Sequence, residues 1–150
     1  MPERVQFDLV TPERLLLSEM VEMVVVPGTE GNFGVLPGHA PLISTIRPGM
    51  IEIYQGQTVT RRIFIVSGIA EVTPEGCTVL ADEAMAPDEV DRDAIEAELQ
   101  TVQGNLPSLR ERVARATGSE RDSLLVELSR MERRENVLQA ELRALGEIAR

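Results

Sequence analysis

Cys77-Thr78-Val79-Leu80-Ala81-Asp82-Glu83-Ala84-Met85-Ala86-Pro87-Asp88-Glu89-Val90-Asp91-Arg92-Asp93 is where the chain changes its hydrophobic period. Upstream, Val5-Gln6-Phe7-Asp8-Leu9 alternates apolar and polar residues, the repeat of a strand with one buried face. Residues 20–26 and 62–66 are short runs rich in Val and Ile, and Met50-Ile51-Glu52-Ile53-Tyr54 and Cys77-Thr78-Val79-Leu80 continue the series. Thr11-Pro12, Pro27-Gly28, Pro48-Gly49, Gln55-Gly56 and Pro74-Glu75-Gly76 supply turn chemistry between them. Roughly eight to ten short strands at this spacing predict a β-sandwich or barrel over residues 1–86.

Downstream, over residues 87–150, the period is helical. Asp88 and Asp91 are candidate N-caps, and the acids at 88, 89, 91 and 93 suit the positive end of a helix dipole. Ile95, Leu99, Val102, Leu106, Leu109 and Val113 form a one-sided apolar seam. Thr117-Gly118 ends it, with Gly expected at the C′ position. Ser119 with Asp122 reads as a variant capping box opening a second helix. The second seam is Leu124/Leu125, Leu128, Met131, Leu138, Leu142 and Leu145, interrupted by Glu135. A short turn between two such helices predicts an antiparallel hairpin, with arms of roughly 38 Å for about 25 residues. Pro107, with Gly104 nearby, predicts a kink or short break in the first arm at residues 104–107; the alternative is a true helix end there, with Asn105 capping a new helix.

Composition excludes several functions. The chain has 150 residues, 25 acids against 15 basic residues, a net charge of −10 and 43% hydrophobic residues. A folded protein is expected, and a nucleic-acid binder is not, since that surface must be basic. All basic residues are Arg, so Walker phosphate loops and lysine Schiff bases are excluded. One Cys and one His, Cys77 and His39, assemble neither an internal disulfide nor a Cys/His metal cluster. No apolar run reaches the roughly 20 residues of a bilayer span, and residues 1–10 do not read as a signal peptide. A membrane role is therefore expected only through a partner. For His39, a catalytic pairing with Cys77 or Ser67 lacks a G-x-S-x-G elbow, because Ile65 stands in the Gly place. A hydrogen bond that fixes the loop is the expected role. Cys77 reads as a small buried residue, and the acids of residues 88–93 read as helix caps without an ordered metal-ligand series.

The stretch Val24-Val25-Val26-Pro27-Gly28-Thr29-Glu30-Gly31-Asn32-Phe33-Gly34-Val35-Leu36-Pro37-Gly38-His39-Ala40-Pro41-Leu42 spaces its glycines G-x-x-G-x-x-G. It is neither a dinucleotide fingerprint nor a phosphate loop, and reads as a rigid, tightly turned loop at one end of the β-module. With Phe7-Asp8-Leu9-Val10-Thr11-Pro12-Glu13, Ile46-Arg47-Pro48-Gly49, Ser67-Gly68-Ile69-Ala70-Glu71-Val72 and Val79-Leu80-Ala81-Asp82-Glu83-Ala84 in order, the chain resembles the epsilon subunit of rotary F-type ATP synthases, called delta in mitochondria.

The resemblance implies a ten-stranded N-terminal β-sandwich, a C-terminal helical hairpin, and a non-catalytic rotor subunit at the cytoplasmic face of the bacterial inner membrane. It implies that the sandwich binds the gamma subunit and that the segment of Glu30, Gly31, Asn32, Phe33, Pro37, Gly38 and His39 faces the c-ring. The N-terminal half, with eleven acids and five arginines, complements a basic ring surface. Many bacterial relatives carry an acid where this chain has Asn32; Glu30 is the nearby substitute. The hairpin lies folded on the sandwich or extends along gamma to the catalytic alpha and beta subunits, where Arg130, Arg133 and Arg134 are expected to inhibit hydrolysis. The plainer reading of these arginines is a solvated face with local pairs such as Glu127 with Arg130, and Glu132 with its neighbours. No cofactor is expected: in the ATP-binding motif of some relatives, Asp91 matches but Ala94 replaces the Arg. A free-standing β-sandwich adaptor with a coiled-coil arm is the alternative; a small β-barrel enzyme conflicts with the missing Lys, second His and nucleophile elbow.

Overall fold

The computed structural model describes residues 4–148, with side-chain surroundings through Gly146; residues 1–3 and 149–150 lie outside the described residues. Two compact units, Met1–Val90 and Asp91–Arg150, make up the chain.

The first unit consists of β1 (Val5–Val10), β2 (Leu15–Val21), β3 (Met23–Gly28), β4 (Gly31–Val35), β5 (Leu42–Ile46), β6 (Gly49–Gln55), β7 (Thr58–Ile65), β8 (Gly68–Val72), β9 (Gly76–Ala81) and β10 (Ala84–Met85). They form one ten-stranded sheet in the order β10-β7-β6-β3-β5-β8-β9-β1-β2, with β4 attached to β3. Among the described residues β1 pairs with β9 in parallel, and the other pairs are antiparallel. The sheet curls around a single core. Phe7 and Leu9 of β1 meet Val24 and Val26 of β3, Ile51 and Ile53 of β6, and Cys77 and Val79 of β9 in that cluster. Each such aliphatic or aromatic side chain contributes about 1.5–3 kcal/mol by leaving water. Close backbone approach is needed where β8 meets β9: a Cβ on Gly68 would lie 2.2 Å from the Leu80 carbonyl oxygen.

The strand readings hold, with two corrections. The run over residues 20–26 is not one strand. It divides at Glu22, whose N–H donates to the Tyr54 carbonyl (3.2 Å) and whose carboxylate accepts from Gly56 N–H, so the chain turns the corner between β2 and β3. Residues 24–42 are not one loop either, because Gly31–Val35 is a strand paired residue by residue with β3.

The second unit is the expected hairpin of α1 (Arg92–Arg115) and α2 (Gly118–Ile148). Asp91 caps α1, its carboxylate accepting from Ala94 N–H at 3.2 Å. Asp88 is not a cap; it lies inside a 3-10 turn, Pro87–Glu89, whose cap is Ala86 and which packs with β7 in the first unit. Ile95, Leu106, Leu109 and Val113 are buried, and Leu99 and Val102 half-buried, as the seam requires. In α2, Leu124 and Leu138 are buried, Leu128, Met131, Leu142 and Leu145 half-buried, while Leu125 is exposed. The arms are antiparallel: Glu98, early in α1, pairs with Arg134, whereas Arg110, late in α1, pairs with Glu132. Gly118 takes a left-handed φ of 63° and opens α2 one residue before Ser119. The first turn closes through Arg121 N–H to the Thr117 carbonyl, so Ser119 sits inside the turn rather than at its cap, and Gly118 lies two residues past the C-cap Ala116 rather than at C′.

The expected break at residues 104–107 is absent, and so is the alternative helix end: α1 runs unbroken through Pro107. The ring removes one backbone donor, but Leu106 and Leu109 on either side are only 2% and 3% exposed, and their packing holds the helix through the proline. Pro107→Ala restores that donor. It is expected to stabilise the hairpin by about 1–3 kcal/mol, seen as slower amide exchange across α1; unchanged exchange would show that the proline carries no strain there.

Candidate functional site

Chemistry-bearing residues are few, and the fold keeps them apart. His39 follows a turn in which Pro37 and Gly38 are the central residues; Gly38 has a φ of 78°, and His39 N–H donates to the Leu36 carbonyl at 3.2 Å. That is a type II turn, with Pro and Gly where each is favoured. Gly38 N–H also donates to the Pro74 carbonyl (3.1 Å), tying the loop to the β8–β9 turn. The imidazole Nδ1 lies 2.7 Å from the Ala40 carbonyl; a carbonyl only accepts, so Nδ1 carries the proton. Ser67 lies past the opposite end of β5, where Ile46 pairs with Gly68, and its hydroxyl donates to Asp82 Oδ2 at 2.5 Å. Cys77 is buried in the core. No nucleophile meets a base among these three residues.

The segment read as one ring-facing loop is separated by the sheet. Glu30 and Gly31 form the tip of the β3–β4 hairpin, whereas Pro37, Gly38 and His39 lie beyond the far end of β4, roughly 17 Å away at about 3.4 Å per residue. The tip is tightly held. A Cβ on Gly28 would lie 2.8 Å from the Gly31 carbonyl and 2.9 Å from the Phe33 ring, so only Gly fits. Gly31 has a φ of 136°. Thr29 N–H donates to the Thr45 carbonyl (3.0 Å), the two threonine hydroxyls are 2.9 Å apart, and Arg47 N–H donates to the Pro27 carbonyl (3.0 Å). Asn32 Oδ1 accepts from the Arg47 guanidinium. The neutral amide thus holds the tip from within, while Glu30 stands exposed without an ion pair among the described residues. Phe33 packs against the core, where it supports the hairpin instead of presenting its ring outwards.

A second surface escaped the sequence reading. Thr45, Ile69, Leu80, Val10 and Leu15 are successive cross-strand partners over β5, β8, β9, β1 and β2. Partners share a face, and this face is the outer one: Ile69, Leu80 and Leu15 are 46%, 52% and 57% exposed, while Ala70, Ala81 and Leu9 beside them are buried. Ile43, 73% exposed, lies on the same face. The adjoining row is polar, with Ser18 donating to Asp8 Oδ1 at 2.6 Å and Gln6 donating to both. The signal was present in the sequence as consecutive apolar residues in β8 and β9, which put apolar groups on both faces.

On α2, the three arginines differ. Arg134 is bidentate with Glu98 across the hairpin, Nη2 to Oε2 at 2.6 Å and Nε to Oε1 at 3.3 Å. Arg130 and Arg133 are exposed and make no ion pair among the described residues. The expected local pairs on α2 do not form; Glu132 reaches across to Arg110 at 3.4 Å instead.

Residues 4–87 match the family model for the ATP synthase delta/epsilon chain beta-sandwich domain. An ATP synthase epsilon chain from Rhodospirillum rubrum is 57% identical over 106 residues, 71% of this chain and 79% of that one. One from Rhodospirillum centenum is 49% identical over 120 residues, 78% of this chain and 79% of that one. A chain in the cryo-EM structure of the Euglena gracilis mitochondrial ATP synthase OSCP/F1/c-ring has the same fold, with a TM-score of 0.72 at 18% identity over 100% of this chain and 84% of its own.

Burial, with a smaller push from the Asp8 carboxylate, raises the Cys77 thiol from 9.0 to about 12. The neutral thiol is therefore favoured by folding. That stabilisation is complete below the unfolded value of 9.0 and is lost as pH rises toward about 12. Thiol reagents at pH 8 are expected to label Cys77 only at the rate of unfolding; rapid labelling of the native chain would contradict its burial.

Proposed function

The chain belongs to the ATP synthase delta/epsilon chain family, and from that premise we propose how its two units divide the work. It is a non-catalytic subunit of the rotor's central stalk, coupling c-ring rotation through gamma to ATP synthesis. The first unit is the coupling. The outer apolar row through Ile69 and Leu80 carries this reading: an apolar strip across five strands is costly in water and is removed from it by a partner. Gamma is that partner.

The c-ring meets the Glu30 end of the sheet. Its tip is pinned by Thr29, Arg47 and Asn32, so load applied there passes into backbone hydrogen bonds. His39 lies at the other end of β4, where its imidazole holds the Ala40 carbonyl. Among the described residues no helix is long and apolar enough to cross a membrane. The chain's place at the cytoplasmic face of the bacterial inner membrane comes through the assembled complex.

The second unit regulates. Extended along gamma, the hairpin brings Arg130, Arg133 and Arg134 to an acidic segment of the catalytic beta subunit and restrains hydrolysis. It does so without bound nucleotide: Ala94 stands in the Arg place of the ATP motif, and Asp91 is occupied in capping α1.

Two experiments test the division. An Ile69→Asp, Leu80→Asp double variant, folded by circular dichroism, is expected to lose co-purification with gamma by tenfold or more; retention at the parental level would favour the free-standing adaptor. A chain ending after Ala86 is expected to keep gamma binding but raise ATP hydrolysis by the gamma-containing head relative to the full chain. Equal rates would remove the regulatory half of the proposal and leave the coupling half standing.

A further inference from the structure

We propose that Glu98 is a built-in competitor for Arg134, holding the third arginine of the α2 cluster until an acidic partner displaces it. The inference rests on the reading of that cluster as an acid-binding surface. Both oxygens of Glu98 face two nitrogens of Arg134, at 2.6 and 3.3 Å, so the guanidinium fork is filled in the way a partner carboxylate would fill it. No acid occurs in α1 between Glu98 and Glu111, so the other two arginines have no comparable rival in that stretch. Arg130 and Arg133 accordingly stand without ion pairs among the described residues. The surface therefore offers two cations at once and a third only on exchange. The pair is a workable gate because it is open to water: its side chains are 44% and 45% exposed, so a competing carboxylate can reach the guanidinium and replace Glu98. A partner with one or two acids engages Arg130 and Arg133 and leaves the hairpin clasped. A denser acidic helix also takes Arg134 and unclasps it. Glu98 thus sets how acidic a partner must be.

Two readouts on the full chain test this, one of them independent of inhibition. In the first, a helical peptide rich in Asp and Glu is titrated onto the chain. Glu98→Gln is expected to bind it about two- to fivefold more tightly than the parent, and Arg134→Gln more weakly. In the Arg134→Gln background, Glu98→Gln is expected to add nothing; a gain there would mean that it acts by loosening the hairpin, and would overturn the proposal. The charge swap Glu98→Arg, Arg134→Glu is expected to keep the parental thermal midpoint, yet bind more weakly than Arg134→Gln. Parental affinity for Glu98→Gln overturns the proposal. In the second readout, hydrolysis by the gamma-containing head, Glu98→Gln is expected to lower the half-inhibitory concentration by a similar factor. If Arg130→Ala, Arg133→Ala, Arg134→Ala leaves hydrolysis unchanged, inhibition through these arginines fails while the peptide titration still decides for or against Glu98. If the triple variant relieves inhibition and Glu98→Gln has no effect, the competitor role alone fails.

Discussion

An apolar side chain can be sheltered on both faces of one strand only if something covers both faces. In β8, β9 and β1 the inner face is covered by the strands of β3 and β6, through Phe7, Leu9, Ala70, Val79 and their neighbours. The outer face has no such cover within this sheet at Ile69 and Leu80. The same backbone therefore serves as the wall of a core and carries the exposed apolar row proposed above as the seat for gamma. Because the core is packed to completion on one side, the seat on the other has little freedom to deform. A part that passes rotation between two partners needs that stiffness more than it needs any reactive group.

The hairpin works by different forces. Its seam is narrow, with Leu109, Val113, Ala116 and Leu124 as the cluster near the turn, and its arms are tied by ion pairs accessible to water. Packing of this kind tolerates Pro107 in mid-helix because neighbouring leucines fix the chain from the side. It is also packing that can be exchanged at modest cost, in contrast with the sheet, where a methyl group at residue 68 would collide with backbone. One chain thus joins a rigid unit to a tradable one.

Much of this was legible beforehand. Alternation in β1 and β6 and the α1 seam are legible because each reports one buried face; in α2 the sequence pattern marks Leu124 and Leu138 but not the buried Val137, Ala140 and Ala144. Misreadings occurred where local chemistry and tertiary pairing disagree. Glycine and proline around residues 27–38 have the composition of a loop, yet Gly31, Asn32 and Gly34 are held in a strand by the ladder with β3. Pro107 has the local signature of a break, overridden by its buried neighbours. Among the site residues, Glu30 and His39 are close in sequence, and only the intervening strand reveals that they sit at opposite ends of it. The partnering of Arg134 with Glu98 spans two helices and has no signature in either one alone.

The parallel pairing of β1 with β9 has a consequence for how the polypeptide is made. Phe7 lies beside Cys77, so β1 leaves the ribosome about seventy residues ahead of the strand it pairs with and has to wait for it. Until then the Val5–Val10 strand is a bare ribbon paired at most with β2 on one side. Contacts so distant along the chain make closure of the sheet a slow event. The two-helix arm, built almost wholly from nearby residues, emerges afterwards and winds up faster, so the tradable half of the molecule is ready as soon as the rigid half has closed.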